Sequence, residues 1–169
     1  MLAPGTDGGT RLNASPQPAP RNADWRAAIS AGVCAGIVFL LVNMALTSQL
    51  LGNAQLPLQL AASLLLGPAV LPPAIGIGGN VLMTGFGVHI ALSVAFTCLI
   101  AFCLHRWGVL VGLVGGAAFG LSLYSIDYYF VADFVPGFAA LRSWPMALSH
   151  VVFGAVAGGL YELLERDRR

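Results

Sequence analysis

The chain has 169 residues, 57% hydrophobic and only 9% charged, with a formal net charge of +1. A soluble domain carries roughly 25% charged residues, yet between Arg26 and Arg106 there is no Asp, Glu, Lys or Arg at all. A water-soluble surface of that extent would carry charge, so a soluble domain is excluded. So is a basic face for nucleic acid, and the composition points to an all-α, polytopic transmembrane helical bundle in a lipid bilayer.

Residues 1–26 are rich in Pro, Gly, Ala and Asn and lack apolar periodicity, so they read as a disordered N-terminal tail. They do not read as a signal peptide. The first apolar run begins only at Ala27 and outlasts an h-region of about 7–15 residues. The bundle is expected over 27–162, with a charged C-terminal tail at 163–169. Four apolar segments stand out within it: 27–51, 82–105, 109–130 and 144–161. At about 1.5 Å per residue each can cross a hydrocarbon core of about 30 Å, the last only just.

The piece between the first two segments, 52–81, is ambiguous. Pro57, Pro68, Pro72 and Pro73 interrupt its apolar stretch, and Gly76, Gly78 and Gly79 follow. Proline removes a backbone donor and breaks helices. The piece therefore reads as a Pro/Gly-broken re-entrant segment, an interfacial helix or a short fifth span. Arginine placement discriminates. Without a crossing, Arg11, Arg21, Arg26, Arg106, Arg166, Arg168 and Arg169 share one side and Arg142 alone lies on the other. With a crossing, the arginines split evenly. The positive-inside rule favours four spans with both termini cytoplasmic. Trp25, Trp107 and Tyr161 then fall at the inner boundary, and Tyr128, Tyr129 and Trp144 at the outer one, where aromatic rings prefer to sit. The loop 131–143 holds Asp133 and Arg142, placed for an exposed salt bridge. Cys34, Cys98 and Cys103 show no ligand spacing and read as packing residues.

Each span carries a stripe of small or polar residues at a spacing of four. The first has Ala28, Gly32 and Gly36. The second has Gly85, His89, Ser93, Thr97, Ala101 and His105. In the third, Gly108, Gly112, Gly116 and Gly120 lead to Tyr124, and in the fourth His150, Gly154 and Gly158 lead to Glu162. Burying leucine does not drive helices together in lipid, whereas small residues allow their backbones to approach. Four stripes on four helices predict a tightly packed bundle.

The stripes also aim the histidines. His105 stands beside Arg106 and Trp107 and reads as interfacial. His89 and His150 each lie about seven residues inside their predicted helices, roughly 10 Å deep by helical rise. Polar groups at that depth face a bundle interior or a cavity. Asp127, near the end of the antiparallel third span, reaches a comparable level. The expectation is an intramembrane cluster of His89, His150 and Asp127, with Ser93, Tyr124 and Ser149 as further members and Asn43 contributing from deeper in. Three readings fit such a cluster. It can glue the helices by hydrogen bonds, relay protons or line a small-solute path, or ligate a haem b or another metal through the two histidines. No Walker loop, G-x-S-x-G, H-E-x-x-H or dinucleotide fingerprint occurs, so no enzyme class is indicated.

Two stretches carry a resemblance: Gly116-Ala117-Ala118-Phe119-Gly120-Leu121 leading to Tyr124, and Ser149-His150-Val151-Val152-Phe153-Gly154. With a glycine-rich first helix and a histidine in the second, they resemble a family of small bacterial inner-membrane proteins with about four spans and no settled activity. The resemblance implies an accessory role beside a larger membrane complex, such as a respiratory-chain component. His89 and His150 would be the characteristic intramembrane residues. The leading expectation is a non-catalytic accessory or assembly subunit with a membrane-protein partner or as a homo-oligomer. A small transporter or channel and a haem- or metal-binding electron-transfer subunit are the alternatives.

Overall fold

The computed structural model describes residues 23–73, 78–105 and 107–166. Most of the expected N-terminal tail and the last residues of the C-terminal one lie outside them. The described residues form five α-helices: α1 (Trp25–Leu51), α2 (Leu56–Leu66), α3 (Gly79–Leu104), α4 (Val109–Ser125) and α5 (Trp144–Arg166). A π-helical turn, Ile126–Phe130, and a 3-10 turn, Val131–Asp133, prolong α4 without a break. Four of these rods are long and apolar enough to span a membrane: α1, α3, Val109–Asp133 and α5. The protein is a multi-pass, all-helical membrane bundle.

Local chemistry sets the ends of α1. Asp24 Oδ1 accepts hydrogen bonds from the backbone N–H groups of Arg26 and Ala27, at 2.9 and 3.1 Å, and so starts the helix within the stretch expected to be tail. Gly52, at φ +66°, closes it by donating its N–H to the Thr47 and Ser48 carbonyls. The last helix likewise runs on to Arg166, past the expected boundary at 162.

Small residues decide which helices touch. Gly32 packs against the α3 backbone, where a Cβ would lie 2.8 Å from the Val94 Cα, and Gly36 meets Ser93. In the α4–α5 contact, Gly112, Gly116 and Gly120 face the backbones of Gly158, Gly154 and His150 respectively. These pairings run in opposite directions along each pair of helices, so α1 is antiparallel to α3 and α4 to α5. Ala27, Ala28 and Ala31 of α1 share a cluster with Tyr161 of α5. The start of α1 and the end of α5 therefore lie at one end of the bundle.

That arrangement decides the ambiguous segment. Because α1 and α3 are antiparallel neighbours, the chain between them returns to the end it left. It is not a fifth span, and because α2 packs into the bundle beside α3, with Leu58 against Gly85, it is a re-entrant segment. Its helix α2 has 11 residues, about 16 Å at the helical rise and so only half a hydrocarbon core. Gly85 lets it press on α3, since a Cβ there would strike the Leu58 carbonyl. Gln59 is fully buried and ties the segment together. Its amide donates to the Val70 carbonyl at 3.3 Å, and its oxygen accepts from Asn53 Nδ2 at 3.1 Å.

Four further expectations change. Gly108 is not part of the packing row. It precedes α4 at φ +88°, has nothing near its Cβ position, and donates its N–H to Glu162 at 3.1 Å, so it serves the turn. Tyr161 is not an interfacial ring but is fully buried against the alanines of α1 and Ala101. Tyr128 is also buried, because it is the next step of the i+4 row through Tyr124. The Asp133–Arg142 salt bridge does not form. Arg142 reaches back instead, donating from Nε to the Tyr128 carbonyl and lying 4.7 Å above the Tyr129 ring. Trp25, Trp107, Tyr129 and Trp144 do face outward.

Candidate functional site

The site grows from Phe39, at mid-length on α1. Its ring stacks on the His89 imidazole from α3, with centroids 5.6 Å apart, and meets the His150 imidazole from α5 edge-on at 4.7 Å. One phenyl ring thus places both histidines at a common level. α3 begins three residues earlier than expected, at Gly79, so His89 sits nearly a turn deeper along its helix than the sequence implies.

Backbone carbonyls fix both imidazoles. A carbonyl only accepts, so the nitrogen facing it carries the proton. His89 Nε2 donates to the Gly36 carbonyl at 2.9 Å, across the α1–α3 contact. His150 Nδ1 donates to Met146, one turn back on its own helix, at 2.8 Å. His150 Nε2 is thereby aimed at Asp127 Oδ2, 3.5 Å away. Asp127 reaches this position from the π turn. Tyr124 and Tyr128 close round the pair with rings 5.7 and 5.4 Å from His150.

The other predicted members are less central. Ser93 and Asn43 line the same space, but each donates within its own helix, Ser93 Oγ to His89 and Asn43 Nδ2 to Phe39. Ser149 Oγ donates to Met146 at 2.8 Å and lies 3.5 Å from His150 Nδ1. It supports the histidine and does not face the cavity. His105 stands at the far end of α3, its Nδ1 3.1 Å from the Phe102 carbonyl, away from the cluster.

Phe39, His89, Ser93, Asp127, Tyr128 and His150 form one wall of a cavity of about 260 Å³. Pro57, Leu60, Ala61 and Leu64 of α2 form a second wall, and Phe138 and Leu141 of the loop fold over it. Towards the end that holds both helix termini the cavity is closed. There Ala35, Ile100, Leu123, Phe153 and Ala157 pack as one apolar cluster. The cavity is therefore blind. Phe39, Tyr128, Phe138 and the α2 residues were not evident as site residues. Of these only Tyr128 carried a signal, its i+4 spacing from Tyr124.

A bis-histidine haem does not fit this arrangement. A macrocycle would have to fit between the two imidazoles, and here Phe39 packs against both and fills that space. His89 Nε2 is also already bonded to Gly36. Among the described residues, no three His, Cys, Asp or Glu side chains come together to hold a metal ion.

Fold and cavity together define the class: a four-span helical membrane protein with a blind cavity in one half, polar on one wall. No protein-family profile, curated protein or solved structure matches the chain. The resemblance of the glycine and histidine stretches to small inner-membrane proteins therefore carries no further argument.

Proposed function

We propose that this protein is a non-catalytic accessory protein of a bacterial inner membrane, and that its work is to hold a small lipid-soluble guest for a larger membrane assembly. The blind cavity carries this reading. An open channel must continue to both faces, whereas this cavity ends on the packed layer of Ala35, Ile100 and Phe153. A helix-gluing cluster needs no cavity at all. Concave, mostly apolar spaces with a few convergent polar groups are where small ligands bind. Both termini lie on the cytoplasmic side in this reading, where the positive-inside rule puts the arginine-rich end.

The test is to purify the full chain in mild detergent, extract it with organic solvent and identify what is retained by mass spectrometry. Wild-type protein should carry a lipid-soluble molecule at near-stoichiometric level. Ala61→Phe, which fills the cavity from α2, should lose it. Equal retention of the same molecules by both proteins refutes the reading.

A further inference from the structure

The cavity has a side entrance. Leu64 on α2, Leu92 on α3 and Ile126 at the start of the π turn line the cavity, yet they are also 41%, 38% and 48% exposed on the outer surface. All three are aliphatic and stand on membrane-embedded elements. The opening between α2, α3 and the π turn is therefore rimmed by aliphatic side chains, a surface suited to acyl chains and not to water. A guest that enters there must be soluble in lipid.

The inner wall sets a different condition. His150 Nδ1–H is donated to Met146, which leaves Nε2 facing Asp127 Oδ2 at 3.5 Å, so the ring and the carboxyl are each other's polar partner. A charged head would compete for a partner that is already taken, and an unpaired charge at this depth is costly. An uncharged head that can exchange hydrogen bonds with Asp127 or His150 meets no such cost.

Size and shape narrow the class further. An engineered apolar cavity of about 150 Å³ holds benzene. At about 260 Å³ this cavity admits a larger, substituted ring. Phe39, Phe96, Tyr128 and Phe138 make its lining strongly aromatic, and aromatic side chains favour another ring in stacked or edge contact. We infer that the cavity binds an uncharged, oxygen-bearing ring carried on an apolar tail, with the ring against His150 and Asp127 and the tail leaving between Leu64, Leu92 and Ile126. This rests on the binding role proposed above and adds the chemical class of the guest.

The test is a thermal-shift titration of the full chain in mild detergent with three probes. Decylubiquinone has the oxygenated ring and a ten-carbon tail, 1-decanol has the tail with a hydroxyl, and decanoate has the tail with a charge. A ligand that binds only the folded protein raises its melting temperature in a concentration-dependent way. Decylubiquinone should give a saturable rise, and the other two should give none beyond their effect on an unrelated membrane protein. Ala61→Phe should weaken the response at least tenfold. Leu64→Trp should do the same from the exposed mouth, where it leaves the packed interior intact. An equal shift with 1-decanol, or a larger one with decanoate, overturns the inference. So does no shift with decylubiquinone while solvent extraction still finds a cavity-dependent guest, and in that case the binding role stands. Failure of both experiments removes both.

Discussion

At Gly116 a single added methyl group would collide with the Gly154 carbonyl of the facing helix, and at Gly154 the collision is reciprocal. Backbone cannot give way as a side-chain tip can. Gly116→Ala should therefore push α4 from α5 and cost about 1–3 kcal/mol, as overpacking does. Gly87→Ala is the control. It has nothing within 4 Å of its Cβ position, so it should leave stability unchanged or raise it by up to about 1 kcal/mol through helix propensity. Melting in detergent, followed by circular dichroism, separates the two. The histidines differ in the same measurable way. His89→Leu removes one interhelical bond to Gly36, worth about 0.6–2 kcal/mol in membrane bundles. His150→Leu also leaves Asp127 without its partner, and should melt at a lower temperature than His89→Leu. An ionisable residue inside an uncharged run is conspicuous, which is why His89, His150 and Asp127 are legible in the sequence. Phe39 is one aromatic among many apolar residues, and nothing in its neighbourhood marks it as the ring both histidines touch.

The element that brings Asp127 to the cavity is the π turn at Ile126–Phe130. Such turns are rare and often stand at functional sites. Arg142 holds this one through the Tyr128 carbonyl and the Tyr129 ring. A charged hydrogen bond contributes about 1.5–3 kcal/mol, so Arg142→Gln should speed amide exchange across Ile126–Phe130 while leaving α1 and α3 protected. Exchange unchanged in the turn would show that Arg142 does not hold it. The re-entrant helix α2 depends on Gly85 in the same direct way. In a background lacking the three native cysteines, Gly85→Leu should lift α2 from α3 and make Ala62→Cys, fully buried and off the cavity, reactive to a membrane-permeant maleimide that does not label it when Gly85 is present. The prolines announce that 52–81 is broken. They do not say where it goes, because the same residues suit an interfacial helix, a re-entrant loop and a kinked span equally well.

Over the whole molecule, the antiparallel pairing of α1 with α3 and of α4 with α5 requires four crossings. Residues on either side of the re-entrant segment must then share one face of the membrane. In a background lacking the three native cysteines, Gln55→Cys and Asn80→Cys should react with an impermeant maleimide from the same side, and Arg26→Cys from the opposite side. Labelling of Gln55→Cys and Asn80→Cys from opposite faces would reinstate a fifth span. The blind cavity belongs to this scale too. It exists because α2 reaches only halfway and leaves space above the packed layer around Ile100 and Phe153, where a full span would have filled it.

Membrane residence, the four spans and the inward aim of the two histidines were readable in the chain, because charge depletion, apolar length and i+4 spacing are one-dimensional properties that hold before anything folds. Which helix each glycine row meets, that the segment between α1 and α3 does not cross, and that Phe39 and Phe138 enclose a cavity with Asp127 were decided only by the tertiary structure. These depend on how separate helices pair and on one π turn that shifts the helical phase. No local pattern encodes either, since in lipid every apolar face is as content with an acyl chain as with another helix.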